Sequence, residues 1–91
     1  MQVKVLIPTP LRPFAEKQSH VEFEAQTVRE ALTSLTGRFS GLRKHLYADD
    51  GKLRSFVNVF VNDDDIRFLQ NEDTLIRDGD TISIIPSIAG G

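Results

Sequence analysis

Apolar and polar residues alternate along several short stretches of the chain, and this period of two is typical of β-strands with one buried face. Two other stretches follow turn signals. An acidic turn at residues 62–65 precedes residues 66–68, and the turn Asp78-Gly79-Asp80 precedes an apolar run. This run ends at Pro86, because proline cannot donate a hydrogen bond to a sheet ladder. The pattern predicts strands over residues 3–7, 21–25, 57–61, 66–68 and 81–85.

The segment between the second and third strands has a helical period instead. Thr27 is followed three residues later by Glu30, which is a capping box, and Gly37 and Gly41 mark the helix end. The apolar residues that share one helix face are Val28, Ala31, Leu32, Leu35 and Phe39. The order β-β-α-β-β-β predicts an α+β fold, a roll in which a mixed sheet of four to five strands packs on one main helix.

Composition narrows the class of protein. A chain of 91 residues with 40% hydrophobic and 26% charged residues indicates one soluble globular domain. The formal net charge of −2 does not mark a nucleic-acid binder, and no apolar run is long enough to span a membrane. Cysteine is absent, which removes disulfides and thiolate chemistry. We therefore expect a cytoplasmic protein with no nucleic-acid or membrane partner.

No side chain shows the pattern of a catalytic or metal-binding group. His20 and His45 stand alone, without a cysteine or a His-Glu pairing. Asp63-Asp64-Asp65 lacks the spacing of a calcium loop and is better explained as a turn, and Ser87 has no nearby base. We therefore expect no metal, no resident cofactor and no enzymatic activity of its own.

The sequence ends with Ser87-Ile88-Ala89-Gly90-Gly91, which predicts a tail beyond the last strand. Five extended residues reach roughly 17 Å, and glycine lets a backbone thread a narrow channel in a partner. We expect residues 1–86 to form the domain and residues 87–91 a flexible tail, with the Gly91 carboxylate as the group on which a partner enzyme acts. The alternative is an interaction domain with an incidental Gly-Gly end.

This order of elements, with Gly-Gly at the end, resembles the β-grasp plan of ubiquitin-like proteins. Three segments are similar to those of the ThiS/MoaD family of ubiquitin-like sulfur carriers: residues 59–62 before the acidic turn, residues 78–80 and residues 84–91. Within that family the chain is most similar to the longer, CysO-type carriers, through residues 7–13, 40–42 and 51–58.

The resemblance implies a mechanism and a set of partners. An ATP-dependent activating enzyme adenylates the Gly91 carboxylate, and sulfur then replaces AMP to leave a C-terminal thiocarboxylate. Ala89 and Gly90 would let the tail thread into the partner. In the CysO-type branch, a PLP-dependent cysteine synthase accepts the carrier and a metalloprotease releases the cysteine. Two alternatives stay open: sulfur delivery to molybdopterin or thiamin thiazole synthesis, and a protein modifier conjugated to lysines through Gly91.

The strand pattern also predicts a partner-binding face. Leu6, Phe60 and Ile85 fall out of phase with the apolar residues assigned to the core, so they point to the face opposite the helix. Exposed apolar clusters usually mark partner surfaces, and we expect these residues, together with Ile88, to bind partners. The alternative is that the proline-rich loop after the first strand, or residues 40–56, folds over and covers them.

Overall fold

The computed structural model describes residues 1–86, and within them the chain forms one mixed sheet, two α-helices and several 3-10 turns. The strands are β1 (Gln2–Leu6), β2 (His20–Glu24), β3 (Val57–Val61), β4 (Asp64–Asp65) and β5 (Thr81–Pro86). The helices are α1 (Val28–Arg38) and α2 (Arg43–Leu46), and the 3-10 turns are Thr9–Ala15, Ser40–Leu42, Ile66–Phe68 and Asn71–Asp73. No helix in this described part is long and apolar enough to cross a membrane.

The sheet has the strand order β2-β1-β5-β3-β4. β1 and β5 run parallel at its centre, and every other neighbouring pair is antiparallel. Val5 pairs with Ile82, and Val59 pairs with Ile84, which sets the register of the three strands that carry the core. The predicted α+β roll with a mixed sheet is therefore confirmed.

The core lies between this sheet and α1. Alternate residues of the three inner strands are buried, as their period of two predicts: Val3, Val5, Val57, Val59, Val61, Ile82 and Ile84. On α1, Leu32 and Leu35 are fully covered, because residues three and four apart share the face that meets the sheet. Burial of these large aliphatic side chains is the main favourable term in folding.

Helix α1 begins with the predicted side-chain cap, although the Glu30 carboxylate bonds the residue before the one that a capping box predicts. The Thr27 hydroxyl accepts a hydrogen bond from the backbone N–H of Glu30 at 3.2 Å. The Glu30 carboxylate in turn accepts from the N–H of Gln26 at 3.1 Å, where a standard capping box would use the N–H of Thr27 itself. The helix continues through Gly37 and ends at Arg38, so Gly37 lies inside it and does not mark its end.

The prediction of a strand over residues 66–68 is wrong, because Ile66–Phe68 is a 3-10 turn. The Asp65 carboxylate caps this turn by accepting the backbone N–H of Arg67 at 2.9 Å. In a strand Ile66 and Phe68 would share a face, but here Ile66 is buried and Phe68 is 87% exposed. The strand partner of β3 is instead the two-residue β4, Asp64–Asp65.

Two segments complete the core from outside the sheet. The proline-rich segment after β1 is a 3-10 turn that buries Leu11 and Ala15 and packs against the turn Ser40–Leu42. Residues 40–56 bury Leu42, Leu46 and Tyr47. Neither segment covers the predicted face completely, since Leu6 and Ile85 stay exposed.

Candidate partner-binding face and strand end

The predicted site residues fall into two groups. Gly91, Gly90, Ala89 and Ile88 lie outside the residues that the structure describes. Leu6, Phe60 and Ile85 lie within the described sheet, on β1, β3 and β5 respectively.

Leu6 and Phe60 lie in one row across the sheet, on either side of Ser83. Leu6 pairs with Ser83 along the parallel ladder, and Ser83 pairs with Phe60 along the antiparallel one. Residues opposite each other in neighbouring strands project to the same face, so all three point away from α1. Ile85 is two residues beyond Ser83 and shares that face. Leu6 is 38% exposed, Ile85 is 50% exposed and Phe60 is half-buried, which confirms the predicted strand phase.

A groove extends this apolar face toward the end of β5. Its volume is about 590 Å³. Pro8, Pro10 and Arg12 of the proline-rich segment line one side, and Ile85 and Pro86 line the other. The Arg12 side chain donates from Nε to the carbonyl oxygen of Ile7 at 3.0 Å, which ties this segment to the end of β1. The proline-rich segment thus borders the apolar face and leaves it open.

A polar cluster that the sequence pattern does not predict borders Phe60 on the other side. Asp65 pairs with Phe60 across β3 and β4. The Arg67 guanidinium donates from Nε and Nη2 to the two oxygens of the Asp65 carboxylate, at 3.2 and 3.0 Å. Its Nη2 also donates to the side-chain oxygen of Asn58, and the Asn58 amide nitrogen donates to the carbonyl oxygen of Ile85 at 3.1 Å. The cluster therefore connects β4, the turn after it, β3 and the end of β5.

The charges of this cluster stabilise each other. The hydrogen bonds from the Arg67 side chain, and then from its backbone N–H, hold the pKa of the Asp65 carboxyl below its usual range. The same contact raises the pKa of Arg67. Both groups are therefore charged at neutral pH. The only sequence signal for this cluster is Asp65 followed by Arg67 two residues later, a spacing that does not distinguish a turn from a strand.

The other residues weighed from the sequence do not assemble into a catalytic or metal site. His45 packs its ring against Phe14, with 4.2 Å between the ring centroids. His20 is exposed near Ser19. Within residues 1–86, no three or more His, Cys, Asp or Glu side chains are grouped so that they could hold a metal ion. The Arg54 side chain donates from Nε to the carbonyl oxygen of Lys44 at 2.9 Å, so it serves the local structure of residues 44–54.

Comparison with known proteins assigns this fold to a family. The family model described as ThiS matches residues 5–91, which is nearly the whole chain. The chain belongs to the ThiS family. The predicted membership of the ubiquitin-like sulfur carrier family is therefore confirmed.

Several relatives of this ThiS-family chain align with nearly its full length. It is 41% identical to the sulfur carrier protein CysO of Mycobacterium tuberculosis, and the alignment covers all of both proteins. It superposes on a chain of the crystal structure of the Amycolatopsis orientalis BexX/CysO complex with a TM-score of 0.88 and 39% identity, covering 98% of this chain and 99% of that one. The solution structure of small archaeal modifier protein 1 from Methanosarcina acetivorans gives a TM-score of 0.89 at 28% identity. The superposition covers 99% of this chain and 96% of that one.

These comparisons confirm three predictions. The fold is β-grasp, the chain is similar to CysO-type carriers, and its relatives are carriers and not enzymes. In the Amycolatopsis structure, CysO of that organism forms a complex with a second protein, BexX.

Proposed function

We propose that this ThiS-family chain carries sulfur as a thiocarboxylate on Gly91 and delivers it for the synthesis of cysteine. The observation that supports this proposal is the 41% identity, over the whole of both chains, to a protein named as the sulfur carrier CysO. Residues 1–86 would form the domain that partners recognise, and residues 87–91 the tail that presents Gly91. Ala89 and Gly90 have small or absent side chains, which suits entry into a narrow channel.

The proposed chemistry begins on the Gly91 carboxylate. A carboxylate oxygen attacks the α-phosphorus of ATP, pyrophosphate leaves, and an acyl adenylate remains. Hydrosulfide supplied by a sulfur donor then attacks the acyl carbon, and AMP leaves with one of the carboxylate oxygens. Loss of a proton leaves a thiocarboxylate, in which sulfur has replaced that oxygen. Both steps use the catalytic groups of an activating enzyme.

The open face supplies the docking surface in this proposal. Leu6, Phe60 and Ile85 present apolar area beside the end of β5, from which the chain continues toward Gly91. A partner that covered them would gain affinity from apolar burial while the reacting carboxylate lay some distance away. Ile88 would extend this surface along the tail.

Intact-mass measurement tests the terminus. Incubation with ATP, a sulfur donor and an adenylating enzyme of a CysO-type system should add about 16 Da, the difference between sulfur and oxygen. Removal of Gly91 should abolish the gain. Gly90→Val is the steric control, because it keeps the terminal carboxylate but widens the tail. Conversion of the chain without Gly91 would contradict the proposal.

A second measurement tests the cysteine branch. Thiocarboxylated carrier mixed with a PLP-dependent cysteine synthase and activated serine should yield a carrier–cysteine adduct about 103 Da heavier than the carboxylate form, which a metalloprotease should cleave. Sulfur delivery to a molybdopterin or thiazole synthase without this adduct would contradict the branch and leave the carrier function intact.

One observation favours a second candidate function. The likeness to small archaeal modifier protein 1, with a TM-score of 0.89, is consistent with conjugation of Gly91 to lysine side chains of other proteins. Both functions begin with the same adenylate. Peptide mapping of proteins from the native host separates them, because conjugation would leave residues 78–91 of this chain on lysines after tryptic cleavage at Arg77, and sulfur transfer would not.

A further inference from the structure

The last residues of β5 have fewer backbone partners than the rest of the strand. On the β1 side, pairing reaches only Ser83, because β1 ends at Leu6. Ile85 and Pro86 pair only with β3. Pro86 also lacks an N–H group, so it cannot donate to either neighbour. A strand end held on one side should open more readily than the strand centre.

A side-chain hydrogen bond supports this strand end. The Asn58 amide nitrogen donates to the Ile85 carbonyl oxygen at 3.1 Å. The Asn58 side-chain oxygen accepts from Arg67, and arginine can only donate, so this contact fixes which end of the amide faces Ile85. Arg67 is itself held by both oxygens of Asp65, whose side chain is only 12% exposed.

We propose that Asp65, Arg67 and Asn58 form a clamp that fixes the end of β5 and thereby positions Gly91 for reaction in the activating enzyme. Asn58 makes the contact, and Arg67 and Asp65 are positioning residues that act through it. This inference rests on the proposed function of Gly91. Gly91 is the sixth residue after Ile85, a reach of roughly 20 Å when extended. A loose strand end would enlarge the volume that the terminus samples, which lowers its effective concentration at the reaction site.

The decisive variant is Asn58→Asp. It keeps the size of the side chain and an oxygen for Arg67, but it replaces the donor that faces Ile85 with a second oxygen. Asn62→Asp is the matched control at the opposite end of β5. The Asn62 side chain accepts from the Thr81 N–H at 3.1 Å and donates to Asp80 at 3.1 Å, so the same substitution there disturbs the start of the strand.

Hydrogen exchange of the free carrier gives the first readout. Asn58→Asp should accelerate amide exchange several-fold at Ile85 and leave the centre of β5 unchanged, whereas Asn62→Asp should act only near Thr81. Asp65→Asn, which loosens Arg67 without altering Asn58, should act at the same amide as Asn58→Asp but more weakly. Unchanged exchange at Ile85 in Asn58→Asp would overturn the clamp.

Steady-state adenylation gives the second readout. Asn58→Asp should lower kcat for pyrophosphate release by about ten-fold with less than about a two-fold change in KM for the carrier, because a misplaced terminus slows reaction more than docking. A raised KM with an unchanged kcat would make Asn58 a partner contact and overturn the positioning role. If the unaltered chain is not adenylated while exchange at Ile85 still responds, the proposed function fails and the clamp on the strand end stands.

Discussion

At the residue scale, backbone conformation and side-chain direction explain details that composition cannot. The proline-rich 3-10 turn is followed by two residues in the left-handed region, Glu16 with φ of 54° and Lys17 with φ of 64°. This reversal lets the Lys17 N–H reach the carbonyl oxygen of Arg12 at 2.8 Å. Asn62 and Asn71 also have positive φ, but asparagine tolerates that region better than Glu or Lys does.

The left-handed pair gives a stability prediction. Lys17→Gly should stabilise the fold by about 0.5 kcal/mol, because relief of the side-chain clash exceeds the extra unfolded-state entropy of glycine. Urea unfolding measures the change. Lys4→Gly is the control, since residue 4 is an ordinary strand position in β1, and that change should destabilise by about 1 kcal/mol. A loss of stability in Lys17→Gly would show that local strain is relieved elsewhere.

Two neighbouring isoleucines lie on opposite faces of the sheet, one in the core and one on the exposed apolar face. Ile84 is 3% exposed and Ile85 is 50% exposed, although the two side chains are identical. Ile84→Ala should cost about 2–5 kcal/mol of folding free energy, because it leaves a cavity. Ile85→Ala should cost less than about 1 kcal/mol of stability and should weaken binding to the activating enzyme by about 1–3 kcal/mol. Denaturant titration and calorimetric binding measure the two effects, and equal affinity of Ile85→Ala and the unaltered chain would remove Ile85 from the interface.

At the element scale, local hydrogen bonds decide where regular structure begins and ends. Helix α1 starts at Val28 because the Thr27 hydroxyl satisfies the Glu30 N–H. The turn Ile66–Phe68 forms where a strand was predicted, because the Asp65 carboxylate satisfies the Arg67 N–H in the same way. In both cases one oxygen-bearing side chain before the element sets its first turn.

The helix cap gives the prediction at this scale. Thr27→Ala should lower the free energy of unfolding by about 1 kcal/mol, because the N–H of Glu30 loses its acceptor. Thr27→Ser keeps the hydroxyl and should retain most of that stability. Thermal melts of the two variants provide the comparison. If both lost the same stability, the Thr27 methyl group and not the cap would be responsible.

At the scale of the whole molecule, one polar network joins three segments that are far apart in sequence. The Tyr47 hydroxyl donates to the Glu72 carboxylate at 2.9 Å, and Arg29 of α1 approaches the other oxygen of that carboxylate at 3.7 Å. Arg29 also pairs with Asp73 at 3.3 Å. Burial, and then the hydrogen bond to Glu72, raises the pKa of Tyr47 above its ordinary value. The network attaches the segment after α2 to the start of α1.

Tyr47 predicts a pH dependence of stability, which is readily assigned because it is the only tyrosine in the chain. A folded-state pKa raised above the unfolded value of about 10 means that this contribution is fully present below pH 10 and is lost as the pH rises further. Tyr47→Phe should lower stability by about 1 kcal/mol at pH 7, through the lost hydrogen bond. Above pH 10, the difference in free energy of unfolding between the unaltered chain and Tyr47→Phe should disappear. A difference that stayed constant from pH 7 to pH 11 in urea titrations would contradict the assigned role.

Much of the architecture could be predicted from local pattern. The period of two placed Val59 in the core and Ile85 on the opposite face, and the helical period with Thr27 and Glu30 located α1. These features depend on residues within a few positions of each other, where backbone geometry dictates side-chain direction.

The sequence by itself determined the order of the main elements, the core residues of the strands and of α1, and the likeness to sulfur carriers, because each of these depends on local spacing or on contiguous motifs. Only the tertiary structure decided what lies beside the end of β5. Asn58 and Ile85 are 27 residues apart, and Arg67 lies between them in sequence, so no local pattern indicates that they meet. The antiparallel register of β3 and β5 brings them together, and a register depends on the packing of the whole sheet.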